Sequence, residues 1–183
     1  MSQYRGVFNI FRTYWRCYGG IKALLSSPYL HVSFVLAALM FPIWGSPGWW
    51  SYPLGVMPSI LGFSLGGFAI WLAIGDERFR ALIAGTRQDE PDTVCSPFME
   101  MNATFIHFIL MQFFAILLAL IFAGLGPADG DVGFCLRGIW FFGYWVFIYA
   151  IFTAAAAAMA IFRNAELYDV YQTGKTKEAS RDE

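Results

Sequence analysis

The chain alternates long apolar runs with short polar stretches, and the spacing inside each run limits what it can become. In residues 4–18, Tyr4, Val7, Phe8, Phe11, Tyr14, Trp15 and Tyr18 recur at helical spacing, while Arg5, Asn9, Arg12 and Arg16 fall on the opposite side. This predicts an amphipathic helix that Gly19 and Gly20 end. Cations facing a ring-rich stripe suit a helix lying in the lipid headgroup layer, with Arg5, Arg12, Arg16 and Trp15 at the membrane surface. Packing of the same stripe on the rest of the protein, or on a second copy, is the alternative.

Four apolar runs follow, each long and almost free of charge, which is the pattern of bilayer-spanning helices. They place spans at about residues 28–44, 54–75, 103–125 and 138–162. Ser27-Pro28 and Ser96-Pro97 are helix-start signals ahead of the first and third spans, since Ser can cap free amides and Pro tolerates the first turn. Pro58 either kinks the second span or marks its true start. Residues 45–53 hold Trp49, Trp50 and Tyr52 but no charge, and predict a tight interfacial turn with an aromatic belt. The polar loop 76–102 begins with helical spacing through Phe79, Leu82 and Ile83 until Gly85, and residues 126–137 form a short Gly/Asp loop. The tail 163–183 starts as a helical extension, and its last ten residues are expected to be disordered.

The predicted fold is therefore all-α: an integral membrane four-helix bundle at 27–162, preceded by an interfacial helix and linker at 1–26 and followed by a tail at 163–183. Composition agrees. The 183 residues are 58% hydrophobic and only 14% charged, with mean hydropathy +0.54, against roughly 25% charged in soluble domains. The start, Met-Ser-Gln-Tyr-Arg, lacks the compact apolar core and cleavage site of a signal peptide and is expected to be retained.

Charge adds the orientation. Arg5, Arg12, Arg16 and Lys22 precede the first span, Arg78, Arg80 and Arg87 lie between the second and third, and Arg163, Lys175, Lys177 and Arg181 follow the fourth. Those are 11 of the 12 cations, leaving Arg137 alone on the other side. The positive-inside rule then expects both termini in the cytoplasm. The net charge of −1 gives no support for nucleic-acid binding. Of Cys17, Cys95 and Cys135, only Cys135 falls on the oxidising side, which excludes an intramolecular disulfide on this reading and leaves Cys135 to bridge a second copy. The cysteines show no metal spacing, and no cofactor is expected.

No acidic or basic residue lies inside the spans, which argues against a voltage sensor or an acidic proton relay. The polar intramembrane candidates are His31, His107 and Gln112. The two histidines sit at similar depth and could face each other, bind a headgroup or titrate together, although water or a neighbouring hydroxyl would satisfy either one. Gln112 fits an interhelical hydrogen bond. Asp89, Glu90 and Asp92 around Pro91 read as a solvated turn, and Asp76 and Glu77 with His107 make the only polar group that a lipid-acting enzyme could use. Small residues are more specific: Gly62 with Gly66, and Ala150, Ala154 and Ala158, form smooth faces for close helix packing, within one bundle or between copies, and a homo-oligomer is the expected assembly.

The string 62–70, Gly-Phe-Ser-Leu-Gly-Gly-Phe-Ala-Ile, ending in Gly75-Asp76-Glu77-Arg78-Phe79, resembles one in small bacterial membrane proteins. By size, four spans and cytoplasmic ends, the whole chain resembles the membrane-subunit (KwaA) family of the Kiwa anti-phage system. That likeness implies a cytosolic DNA-binding partner and carries no motif residue across. Two functions are expected to compete. One is a non-enzymatic membrane scaffold or sensor, in contact with membrane lipids and docking a cytosolic protein on its inner face. The other is a homo-oligomeric channel or pore lined by the small-residue faces or by Gln112, Ser59, Ser64 and Thr153, a path with few polar groups for conduction.

Overall fold

A computed structural model describes residues 3–73, 79, 81, 83–85, 94–126 and 133–179. Every described element is helical. The amphipathic segment forms α1, Gln3–Tyr18, which stops where Gly19 and Gly20 both take positive φ, 95° and 64°, a region that L side chains rarely enter. A short α2, Gly20–Leu25, leads to α3, Pro28–Leu39. Pro28 occupies the first turn as expected, but the Ser27 side chain makes no capping bond.

The first predicted span is not one helix. It breaks at Met40, and α4, Phe41–Trp44, follows as a separate turn. Pro42 has no N–H to continue the hydrogen-bond ladder. The carbonyl of Ala37, at the end of α3, instead accepts from the Met40 amide at 3.2 Å and from the Trp44 indole at 2.7 Å.

In the turn after α4 the aromatics divide, Tyr52 being exposed and Trp50 half-buried. Trp49 is buried against Phe122 and Tyr144, and α5, Ser51–Ala73, already starts within the predicted loop and carries Pro58 inside it. α6, Pro97–Leu125, is capped by Ser96, whose Oγ accepts from the Met99 amide at 3.3 Å. α7 runs from Phe134 to Ala179, 46 residues without interruption. It takes in the end of the predicted 126–137 loop and, through Ala179, part of the tail expected to be disordered. Residues 74–78, 80, 82, 86–93, 127–132 and 180–183, which include Asp76, Glu77, Asp89, Glu90 and Asp92, lie outside the described residues.

α5, α6 and α7 are long and apolar enough to cross a bilayer, and α3 is a shorter apolar helix. The protein is a membrane protein built as a helical bundle. α7 is its spine, contacting α3, α4, α5 and α6, while α1 lies against α6. One half of the core gathers Trp44, Trp49, Met57, Phe122, Trp140 and Tyr144. The other half gathers Trp71, Phe105, Phe108, Ala156 and Ala157, with α1 packed beside it. Outward side chains such as Phe63, Ile70, Phe113 and Leu120 are exposed and apolar, as hydrocarbon requires.

Within the chain, the tightest helix contacts fall on glycines other than Gly62 and Gly66. Gly62 and Gly66 are exposed, with nothing within 4 Å of an added Cβ, so they face away from the chain's own helices. Close approach falls on Gly67, 2.9 Å from the end of Ile161, and above all on Gly143, whose added Cβ would lie 2.6 Å from the Phe122 ring and 2.9 Å from the Trp49 indole. Of the alanine stripe, Ala150 is fully buried and Ala154 half-buried, but Ala158 is exposed, because Ala156 and Ala157 take the inward positions. Gly143→Ala should therefore destabilise the bundle by about 1–3 kcal/mol through overpacking between rigid rings. Gly62→Ala should leave the thermal unfolding midpoint in detergent unchanged, and equal effects of the two substitutions would disprove this assignment of the contact.

Candidate functional site

The polar groups of the bundle converge beneath α1. Tyr14 and Tyr18 are one turn apart on its apolar face, so both point at the same patch of α6. There His107, 2% exposed, accepts or donates at both ring nitrogens: Nδ1 lies 2.8 Å from the Tyr14 hydroxyl and Nε2 lies 3.0 Å from the Tyr149 hydroxyl of α7. The Tyr18 ring stacks on the imidazole at 4.0 Å between centroids, nearly parallel. One histidine thus ties three helices. A neutral imidazole has one N–H and one lone pair, so it is satisfied when one phenol donates to it and it donates to the other. Burial, with a smaller push from the Tyr18 phenol, lifts the Tyr14 hydroxyl to about 12, so Tyr14 keeps its proton at neutral pH.

A covalent tie lies beside this knot. Cys17, one turn on from Tyr14, is bonded to Cys95, just before α6, across 78 residues of sequence. This overturns the expectation that no intramolecular disulfide forms. That expectation rested on the redox state of the compartment, which governs whether a bond lasts and says nothing of which thiols meet. The pair meets because α1 folds back across the start of α6, where Tyr14, Cys17 and Ala103 form a buried cluster flanked by Trp15, Tyr18 and Cys95. A bond closing so long a loop restricts the unfolded chain by about 4 kcal/mol when it is formed. Cys135 is free and exposed.

α1 uses its apolar stripe in two ways. Tyr14 and Cys17 are buried on α6, whereas Tyr4, Val7, Phe8 and Phe11 stay exposed beside Arg5 and Arg12. Arg16 is exposed as well, and Trp15 is half-buried. The packing reading of the stripe thus holds for its C-terminal half, while the apolar residues of its N-terminal half remain uncovered by the chain.

The remaining sequence candidates separate. His31 is exposed on α3 among Val32, Val35, Leu36 and Leu39, and does not join His107. Gln112 is fully buried in α6 and donates to the Ser64 hydroxyl of α5 at 2.9 Å. The Trp145 indole of α7 likewise donates to Ser33 of α3 at 3.1 Å. The tyrosines of the knot were not singled out for chemistry by sequence. Tyr14 and Tyr18 showed only as members of the apolar stripe, and Tyr149 sits inside an unbroken apolar run. No group of three or more His, Cys, Asp or Glu side chains able to hold a metal occurs among the described residues.

Two ties of different chemistry hold α1, so neither alone should release it. In Cys17→Ser the Tyr14 bond to His107 keeps α1 docked, and in Tyr14→Phe the disulfide does. The double variant should expose Arg12 and Arg16 to trypsin about tenfold faster than either single variant, because local opening then loses both restraints. Equal cleavage rates in all three would place the docking of α1 elsewhere. His107→Ala, which strands the buried Tyr14 phenol and removes one partner of Tyr149, should lower stability by about 2 kcal/mol in thermal unfolding. No family model, curated protein or solved structure matches this chain, so its function rests on the geometry just described.

Proposed function

We propose that this protein is a non-enzymatic membrane scaffold or sensor that docks a cytosolic protein on its inner face. It sits in a bacterial inner membrane with both ends in the cytoplasm. The observation that carries the reading is the asymmetry of the bundle. At one end the connections are short, the turn between α4 and α5 and the segment between α6 and α7. At the other, α1 is fastened across α6, and α7 continues as helix past Phe162 to Ala179. By sequence, eleven of the twelve cations fall before α3, between α5 and α6 or after the apolar run of α7, the side that the positive-inside rule assigns to the cytoplasm. α3 and α4, packed along α7, complete a fourth crossing on this reading and return both ends to one side.

The docking surface is then α1, the 76–102 segment and the exposed end of α7. α1 rests its free apolar arc on lipid and its cations on anionic headgroups, so a change in the membrane acts directly on a helix wired to α6 and α7. In a reducing cytoplasm the Cys17–Cys95 bond forms only under oxidation, which makes it a reversible clasp on the same helix. The resemblance to the Kiwa membrane subunit sets this docking in anti-phage defence and makes the partner, not this chain, the nucleic-acid binder. A homo-oligomeric pore draws less support. Gln112, Ser64 and Thr153, which would line it, make hydrogen bonds inside the chain. Gly62 and Gly66, open on the outer side of α5, are where a second copy would approach.

Purification of the tagged protein from its native host in mild detergent, with mass analysis of the intact complex, tests the proposal. A cytosolic protein should co-purify in fixed ratio, and deletion of residues 1–18 or 168–183 should remove it without preventing membrane insertion. A homo-oligomer that carries no second protein would overturn the docking reading.

A further inference from the structure

A cavity of about 390 Å³ opens between α6 and α7 at the end of the bundle that carries α1, a volume in the range of small-molecule sites. Its walls divide by chemistry. Met101, Phe105 and Ala160 are apolar, while Glu100 and Arg163, both exposed, bring an anion and a cation to the lining and Asn164 brings an amide from a buried position. Asn164 is 3% exposed, and its amide nitrogen has no hydrogen-bond partner, a costly state for a buried donor.

The depth of these groups is fixed by the sequence. Arg163 is the first charge after the apolar run of α7, and Glu100 is the last charge before the apolar run of α6. Both therefore sit at the level where hydrocarbon gives way to headgroups, one on each wall of a groove between two spanning helices. We propose that this cavity binds the phosphoethanolamine headgroup of a phospholipid. The phosphate meets the Arg163 guanidinium and the Asn164 amide, the primary ammonium meets the Glu100 carboxylate, and the first acyl carbons cover Phe105, Met101 and Ala160. Charge-assisted bonds of this kind are the strong class of hydrogen bond, and at a membrane boundary they are only partly screened. The carboxylate sets selectivity. An anionic headgroup without an ammonium is repelled by Glu100, and a quaternary ammonium has no N–H to offer it. The site does not depend on the partner-docking proposal.

The test uses the full chain in detergent with defined phospholipids added, bound lipid being counted by mass analysis of the intact protein. Phosphatidylethanolamine should be retained several-fold over phosphatidylglycerol and phosphatidylcholine. Arg163→Ala should reduce its retention about tenfold, the loss of one charge-assisted contact, and Arg163→Lys should restore most of it. Glu100→Gln should erase the preference over phosphatidylglycerol while leaving phosphate binding. Equal retention of the three lipids by the unaltered protein would overturn the proposal, as would an Arg163→Ala variant that melts normally and still holds phosphatidylethanolamine. Displacement of the lipid by water-soluble glycerophosphoethanolamine at equal concentration would assign the cavity to a soluble ligand and equally defeat the lipid reading.

Discussion

Hydrocarbon offers no hydrogen bonds, so the polar side chains that are paired inside this bundle find their partners on another helix or on their own backbone, while the indole N–H groups of Trp49, Trp71 and Trp140 stay unpartnered. That constraint selects the contacts that hold the structure together. Gln112 reaches Ser64 and ties α6 to α5, Trp145 reaches Ser33 and ties α7 to α3, and His107 joins α1, α6 and α7 at once. Each such bond contributes modestly, about 0.6 kcal/mol on average in membrane bundles. Their larger effect is directional. Dispersion would tolerate many rotations of these smooth apolar helices, whereas an unpaired amide or imidazole would not.

The same constraint explains which parts of the fold were legible in sequence. The long apolar runs and the amphipathic stripe announce themselves through period and length, because lipid exposure demands them continuously. The Ser96-Pro97 start was readable because a helix end has local chemistry. Partner choice is not local. Nothing in an unbroken apolar run marks Tyr149 as the residue that receives His107, and no spacing rule links Cys17 to a cysteine 78 residues away. The glycine pair has no partner within the chain for a related reason. Gly62 and Gly66 satisfy the small-residue pattern, but the helix rotation that seats Ser64 on Gln112 turns Gly67 inward instead.

α1 shows how one stripe can meet two environments. Its apolar stripe runs further along the helix than α6 can bury, so its C-terminal half becomes protein core and its N-terminal half stays exposed. The knot and the disulfide both act on its C-terminal half, and Gly19 and Gly20 follow directly. The helix is thus held through its C-terminal half, next to two glycines whose positive φ turns the chain into α2.

The unbroken course of α7 has a mechanical consequence. The 17 residues from 163 to 179 extend the spanning helix by roughly 25 Å at 1.5 Å per residue, with no break to absorb a change of angle. Helix tilt adjusts to bilayer thickness, and a rotation of about 10° would sweep the far tip sideways by about 4 Å. A thinning too slight to alter any contact in the core would thus arrive at the helix tip as a displacement larger than a hydrogen bond is long.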